Sequence, residues 1–181
     1  MNNVAMQTIL AFWFDELEPA DWFHRSDAHD ETIRARFGET HARLLAAAPA
    51  KAADDPRETL ALVILFDQFS RNMFRNDPRA FAADALALSI VRDALTREQD
   101  MALGEQERVF LYMPFMHSEN LADQETSVRL FTDLGREDNV KYAILHRDVI
   151  ATFGRFPHRN AVLGRETTAA EAQHLAEHGG F

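Results

Sequence analysis

The sequence has no cysteine and only two tyrosines, although it has fourteen phenylalanines. The lack of cysteine excludes a disulfide framework, a thiolate nucleophile and a cysteine-ligated zinc or iron–sulfur site. Phenylalanine contributes a large apolar ring without a hydroxyl that needs a hydrogen-bond partner. The aromatic composition therefore predicts a core built mainly from phenylalanine rings.

Long apolar runs are also missing. The run Ile9–Phe14 is followed at once by Asp15 and Glu16, and it is too short for the core of a secretory signal. The run Leu60–Phe66 falls far short of the ~20 residues that span a membrane. We therefore expect a cytoplasmic protein that does not contact a membrane.

Positive charge is scarce, because 19 Lys and Arg residues face 29 Asp and Glu residues and the net charge is −10. Proteins that bind nucleic acids generally present a basic surface, since contacts with phosphates supply much of their affinity. The composition therefore argues against a nucleic-acid partner. Glycine-rich phosphate-binding motifs are absent as well, and no cofactor is expected.

Apolar residues recur with a helical period along the 181 residues, which predicts a single all-α domain over residues 1–181. Connections between the predicted helices are short, so consecutive helices should pack as antiparallel hairpins. About eight helices are predicted, near 4–16, 28–47, 56–74, 78–95, 105–117, 119–134, 139–153 and 169–178.

Residues that start and stop helices support these limits. Asp55 stands before a proline and is expected to cap one helix, and Thr168 with Glu171 forms a capping-box pattern before the last one. Gly135 and Gly154 follow apolar-periodic stretches and are expected to end the helices that precede them.

Two predicted helices are apolar on nearly all sides, in the segments Leu60–Phe66 and Val109–Met113. A helix without a polar face belongs at the centre of a helical bundle. Pro114 follows the second segment and is expected to kink or end that helix.

The first of these helices becomes polar at its end. At 100° per residue, Asp67, Arg71 and Arg75 share one stripe, with Gln68 and Asn72 beside it. A face that is apolar at one end and polar at the other is typical of the edge of a cavity. The alternative is an Asp67–Arg71 ion pair on a helix that emerges into solvent.

The second helix ends in His117, Ser118 and Glu119. His117 and Glu119 could act as an acid and a base, because histidine titrates near neutral pH. A structural interpretation is also open. In that case Ser118 caps the next helix, Glu119 lies at its positive end, and His117 lies at the negative end of the previous helix.

A third polar segment carries Arg155, His158, Arg159 and Arg165 without an acidic residue between 155 and 165. Arginine binds carboxylates and phosphates with two parallel hydrogen bonds, so an anion site is one interpretation. The other is that these arginines neutralise helix ends or pair with buried acids such as Asp67.

Two further histidine patterns are interpreted as structural. His146 lies on an apolar stripe and is expected to be a hydrogen-bonded core residue. His174, Glu177 and His178 match the H-x-x-E-H zinc pattern, but no third ligand follows them. We therefore expect no metal site.

The segments 65–75, 111–119 and 153–160 resemble signature blocks of the domain-of-unknown-function 924 family, and the resemblance extends over nearly the whole chain. It implies a tetratricopeptide-like fold, an antiparallel α–α superhelix. It implies no activity and no catalytic residues, because none is established for the family.

We expect the three polar segments to converge on one pocket at the end of the two central helices. It would enclose Asp67, Gln68, Arg71, Asn72, Arg75, His117, Glu119, Arg155, His158 and Arg159.

Three functions are compatible with such a pocket. In the first, the arginines bind a small anionic molecule, and His117 or His158 transfers a proton while Asp67 or Glu119 orients it. In the second, the arginines clamp the carboxylate of a peptide. In the third, the polar groups form a buried ion network that only fixes the helix packing. The sequence leaves open whether the protein is an enzyme.

Overall fold

The computed structural model describes residues 3–49 and 51–180, and these residues form helices and connecting turns without a β-strand. The prediction of an all-α fold is confirmed. No helix among the described residues has the length and apolar character to cross a membrane. The helices are α1 (Asn3–Ala11), α2 (Asp27–Ala47), α3 (Pro56–Val63), α4 (Ser70–Met73), α5 (Asp84–Thr96), α6 (Glu105–Met116), α7 (Leu121–Leu134), α8 (Glu137–Phe153) and α9 (Ala169–His178).

The helix ends predicted at Asp55, Gly135, Gly154 and Thr168 are capped as expected. The Asp55 carboxylate accepts the backbone N–H of Arg57 at 2.8 Å, and Thr168 and Glu171 form both hydrogen bonds of a capping box. Gly135 and Gly154 end α7 and α8 with φ values of 74° and 68°. This left-handed conformation is favourable only for glycine, which explains why glycine stands at both helix ends.

Helices α3 and α4 are joined by a π-helical segment, Ile64–Phe69, so that residues 56–73 form one continuous helix. A π-helix has a wider turn than an α-helix, and the assumption of 100° per residue fails across it. Asp67 and Arg71 nevertheless pair at 3.2 Å, as the predicted stripe requires. Arg75 lies beyond Met73, the last helical residue, so the predicted stripe does not extend to it.

The chain forms two compact units. Unit 1 comprises the described residues up to Arg75 together with Arg79–Pro114. The segment Leu60–Phe66 is 0% exposed, as predicted for a central helix. Around it, the rings of Phe37 and Phe69 lie 4.9 Å apart and those of Trp13 and Phe110 lie 5.3 Å apart, so the phenylalanine-rich core is confirmed.

Unit 2 comprises Asn76–Pro78 and the described residues from Phe115 onward. In it, α7 and α8 are joined through Gly135 and Arg136, a connection short enough to make them a helical hairpin. The loop after α8 contains a 3-10 turn, Pro157–Arg159, and leads to α9. Phe156 in this loop is fully buried against Val149 and Ile150 of α8, which anchors the loop to the hairpin.

The unit boundary falls at Pro114 within α6. Proline has no N–H, so the carbonyl four residues earlier loses its helical partner. The helix continues past Pro114 for only two residues, to Met116. It therefore ends one residue before the predicted limit of 117, with Pro114 in its last turn.

Candidate functional site

The polar end of the long helix in unit 1 is an ion-pair cluster. Asp67 is 0% exposed, and its Oδ1 atom lies 3.2 Å from Nη1 of Arg71. Arg71 also donates two parallel hydrogen bonds to the Asp84 carboxylate, at 2.9 and 3.0 Å. Burial of the Arg71 guanidinium disfavours its charge, but Asp67 and Asp84 outweigh burial and raise its pKa. Arg71 therefore stays charged.

The remaining predicted residues of this segment divide between two carboxylates. Gln68 donates from Nε2 to Oδ2 of Asp67 at 2.6 Å. Asn72 and Arg75 instead donate to the buried carboxylate of Asp30 on α2, at 2.8 Å from Asn72 Nδ2 and 2.9 Å from Arg75 Nη2. The polar residues of this segment therefore bind two separate carboxylates, those of Asp67 and Asp30, and do not form a single polar stripe.

These contacts decide between the two interpretations of the segment only in part. The Asp67–Arg71 ion pair exists, as the structural interpretation predicts. It does not lie on a helix that emerges into solvent, however, because Asp67 is fully buried. Buried ion pairs are costly to desolvate and often serve to fix packing.

In unit 2, Glu119 anchors the loop that follows α8. Its carboxylate accepts the backbone N–H of Phe156 at 2.8 Å and two hydrogen bonds from Arg165 at 2.7 and 3.0 Å. Burial raises the pKa of Glu119, but the hydrogen bonds from Arg165 and Phe156 outweigh burial and lower it. Glu119 is therefore a fixed anion that positions the loop and is poorly suited to donate a proton near neutral pH.

Arg155 is held in the same loop by a second acid. It donates from Nε to Oε1 of Glu171 at 2.6 Å and from Nη2 to Oε2 at 2.9 Å. The Arg155 guanidinium, helped by the backbone N–H of Thr168, holds the pKa of Glu171 far below its usual range. Arg155 therefore pairs with a buried acid, as the structural interpretation predicts. The acid is Glu171 on α9, however, and not Asp67.

Two histidines and an arginine of unit 2 lie near a common aromatic ring. The Phe156 ring is 5.5 Å from that of His158 and 5.5 Å from that of His146, and the Arg159 guanidinium lies over it at 4.5 Å. Arg159 also donates to the backbone carbonyl of His117 at 3.1 Å. The structure therefore places His158 and Arg159 against Phe156 and links His117 to Arg159 through its backbone carbonyl.

His146 completes this cluster, with its ring 6.4 Å from that of His117. It is 6% exposed, and its Nδ1 atom lies 2.8 Å from the carbonyl of Tyr142. Burial, followed by the charge of His117, lowers the pKa of His146 to about 3. His146 is thus a neutral, hydrogen-bonded core residue, as predicted, next to two histidines that are only half-buried.

The predicted cap of α7 is wrong by two residues. The side chain of Asn120, not Ser118, accepts the first N–H groups of the helix, from Ala122 at 2.9 Å and Asp123 at 3.4 Å. Ser118 instead donates to the Asp123 carboxylate at 2.7 Å. Both residue types cap helices well, and asparagine prevails because its oxygen reaches two N–H groups.

Comparison with known proteins assigns the chain to a family. The model of the family described as "Bacterial protein of unknown function (DUF924)" matches residues 9–179. The chain belongs to the DUF924 family. It is similar to a solved structure of a protein of unknown function, ATU0120 from Agrobacterium tumefaciens, with 37% identity, a TM-score of 0.89 and coverage of 98% of this chain and 99% of that chain. Comparison with curated proteins gives no significant match.

Four residues of this DUF924 chain that hold the predicted site were not predicted as members of it: Asp30, Asp84, Arg165 and Glu171. Arg165 was noted in the third polar segment, and Glu171 was predicted only as part of a cap. The convergence of the unit 1 segment with the two segments of unit 2 stays a prediction, as do the tetratricopeptide-like arrangement and the single domain.

Proposed function

We propose that unit 2 binds a small anionic molecule at His117, His158 and Arg159. The observation that carries this proposal is the position of Arg159, which lies over the Phe156 ring at 4.5 Å from its centre and donates to the backbone carbonyl of His117, with the His158 ring 5.5 Å from the same ring. An arginine held over a ring is restricted in orientation, so it loses little freedom when it binds an anion. His117 and His158 are half-buried and remain accessible to a ligand.

Charge supports an anionic ligand. The neighbouring acids Glu119 and Glu171 are engaged by Arg165 and Arg155. The groups next to His146 that lower its pKa include His117, His158 and Arg159, which are all cationic when protonated. A phosphate or carboxylate would offset this concentration of positive charge.

The same geometry suggests how the site could act chemically. Histidine is the residue type suited to proton transfer, so His117 and His158 are the candidates for it, and Arg159 would hold the anion next to them. Glu119 is reassigned from a proton carrier to a positioning residue, because its carboxylate is fixed by Arg165. A metabolite phosphate, a metabolite carboxylate and a peptide carboxylate all share the chemistry that this site would recognise.

The test is calorimetric titration of the whole protein with inorganic phosphate, acetate, and a tripeptide in its free-acid and amidated forms. We expect saturable phosphate binding, weakened about ten-fold in His158→Asn and in His117→Asn, because a hydrogen bond to a charged group contributes about 1.4 kcal/mol. Arg43→Ala is the matched control at an exposed position, and it should bind as the wild type does.

The different probes distinguish the possible ligands. Binding of the free-acid tripeptide, but of neither its amide nor phosphate, would move the assignment to a peptide carboxylate. Absence of saturable binding by every anion would refute the proposal, and so would an equal loss of binding in Arg43→Ala and His158→Asn.

A further inference from the structure

A hollow of about 460 Å³ lies between α8 and α9 in unit 2. Its volume is within the range of cavities that hold small organic molecules. None of the predicted site residues lines it. It is therefore a separate feature from the anion site proposed above.

One side of the hollow is an apolar face of α8. Tyr142, Leu145, Val149 and Phe153 line this side at helical spacing. Tyr142 is 57% exposed and Leu145 is 51% exposed, although both are large apolar side chains on a regular helix. A ligand in the hollow would cover this carbon-rich surface.

The other side is a row of rings from α9. The imidazole of His174 lies 5.2 Å from the ring of Phe153, and the imidazole of His178 lies 4.9 Å from that of His174. The rings of Phe153 and Tyr142 offer π faces, which attract organic cations. Within the described residues there is no group of three or more His, Asp or Glu that could hold a metal ion.

The polar groups of the lining are mostly acceptors. Asp148 is its one carboxylate, and among the described residues that line the hollow there is no lysine or arginine. Asp148 pairs through Oδ1 with Arg147 at 2.6 Å, and its side chain is 58% exposed. The Thr152 hydroxyl donates to the carbonyl of Asp148 at 2.8 Å, so its oxygen is left to act as an acceptor.

The end wall of the hollow is backbone. Gly179 and Gly180 line it, and Gly180 packs directly on His158, where an added Cβ would lie 2.7 Å from the His158 Cβ atom. Only glycine fits so close an approach without displacing the tail. The wall is therefore set by packing within unit 2.

We propose that this hollow binds a small organic ammonium ion with an apolar body. The apolar face of α8 contacts the apolar body of the ligand. The Tyr142 and Phe153 rings and the Asp148 carboxylate bind its positive charge. The absence of lysine and arginine from the described lining distinguishes this site from the anion site, which includes Arg159.

The test uses two probes with the same phenyl body and opposite charge, 2-phenylethylamine and 3-phenylpropionate, followed by NMR of the histidine ring signals. We expect the amine to shift the His174 and His178 signals in a saturable manner and the carboxylate to leave them unchanged. Asp148→Asn should weaken amine binding about five-fold, the effect of an exposed ion pair. Leu145→Trp should abolish it by filling the hollow.

Both substituted positions are exposed, so the variants should fold, which far-UV circular dichroism verifies. Equal binding of the two probes would overturn the proposal, as would full amine binding in Leu145→Trp or an unchanged affinity in Asp148→Asn. The outcome is independent of the phosphate titration, because the two tests use different probes and different variants.

Discussion

Acid should destabilise this protein through one buried histidine. His146 has a pKa of about 3 in the folded protein against an ordinary value of 6.5. Between these values the unfolded chain binds a proton at this position and the folded chain does not, so stability falls as pH falls. The loss begins at the unfolded pKa of 6.5, so lowering the pH from 7 to 5 removes about 2 kcal/mol of unfolding free energy through this residue, which is about 1.5 pH units at 1.36 kcal/mol per unit.

The assay compares wild type with His146→Gln in urea titrations at pH 7 and pH 5, followed by far-UV circular dichroism. Glutamine cannot take up a proton, so the variant should lose about 2 kcal/mol less than wild type between the two pH values. At pH 7 the variant itself should be less stable, because glutamine fits the buried site near Tyr142 less well than imidazole does. His24→Gln, at an exposed position, should keep the wild-type difference.

The comparison isolates one residue because all other titrating groups are common to both proteins. If wild type and His146→Gln lose the same free energy between pH 7 and pH 5, the assignment of His146 as a neutral buried residue is wrong. Direct NMR titration gives a second check, since the His146 ring should remain unprotonated at pH 5.

Two further substitutions follow from contacts in unit 2. Glu171→Gln removes the partner of Arg155, so the melting temperature should fall at pH 7. The difference from wild type should shrink as pH falls below about 4.3, where the unfolded carboxyl is protonated. A difference independent of pH would contradict the ionised state assigned to Glu171. Gly180→Ala should change the free energy of unfolding by less than about 0.5 kcal/mol, because the tail can move away. It should still shift the NMR signals of His158, and unchanged signals would contradict the close contact.

The fold was predictable because the signals that define it are local. The capping box of Thr168 and Glu171 lies within four residues, and a left-handed glycine such as Gly135 ends a helix whatever surrounds it. The segment Leu60–Phe66 has no polar face, which predicts the full burial that the structure shows. The π-helical segment gave no such signal, and neither did the end of the helix at Met73, which leaves Arg75 outside the predicted stripe.

The candidate site was less predictable because the choice of a charge partner is a tertiary property. The cluster of arginines after residue 154 was visible, but their partners lie at Glu119 and Glu171, on either side of the loop in the sequence. The i,i+4 pair of Asp67 and Arg71 was predicted correctly as a contact, whereas Asp84 and its two hydrogen bonds to Arg71 could not be anticipated.

The ion pairs of unit 2 assign different tasks to residues that look alike in the sequence. Arg155 and Arg165 are committed to Glu171 and Glu119, and each pair ties the loop after α8 to a neighbouring segment. A loop fixed at both of these points holds its 3-10 turn, and with it His158 and Arg159, in one position. Pre-organisation of this kind lowers the cost of binding, because the groups that meet a ligand do not have to be ordered first. The arginines that were predicted to bind an anion therefore separate into two groups. Arg155 supports the loop, and Arg159 is held in position by the loop.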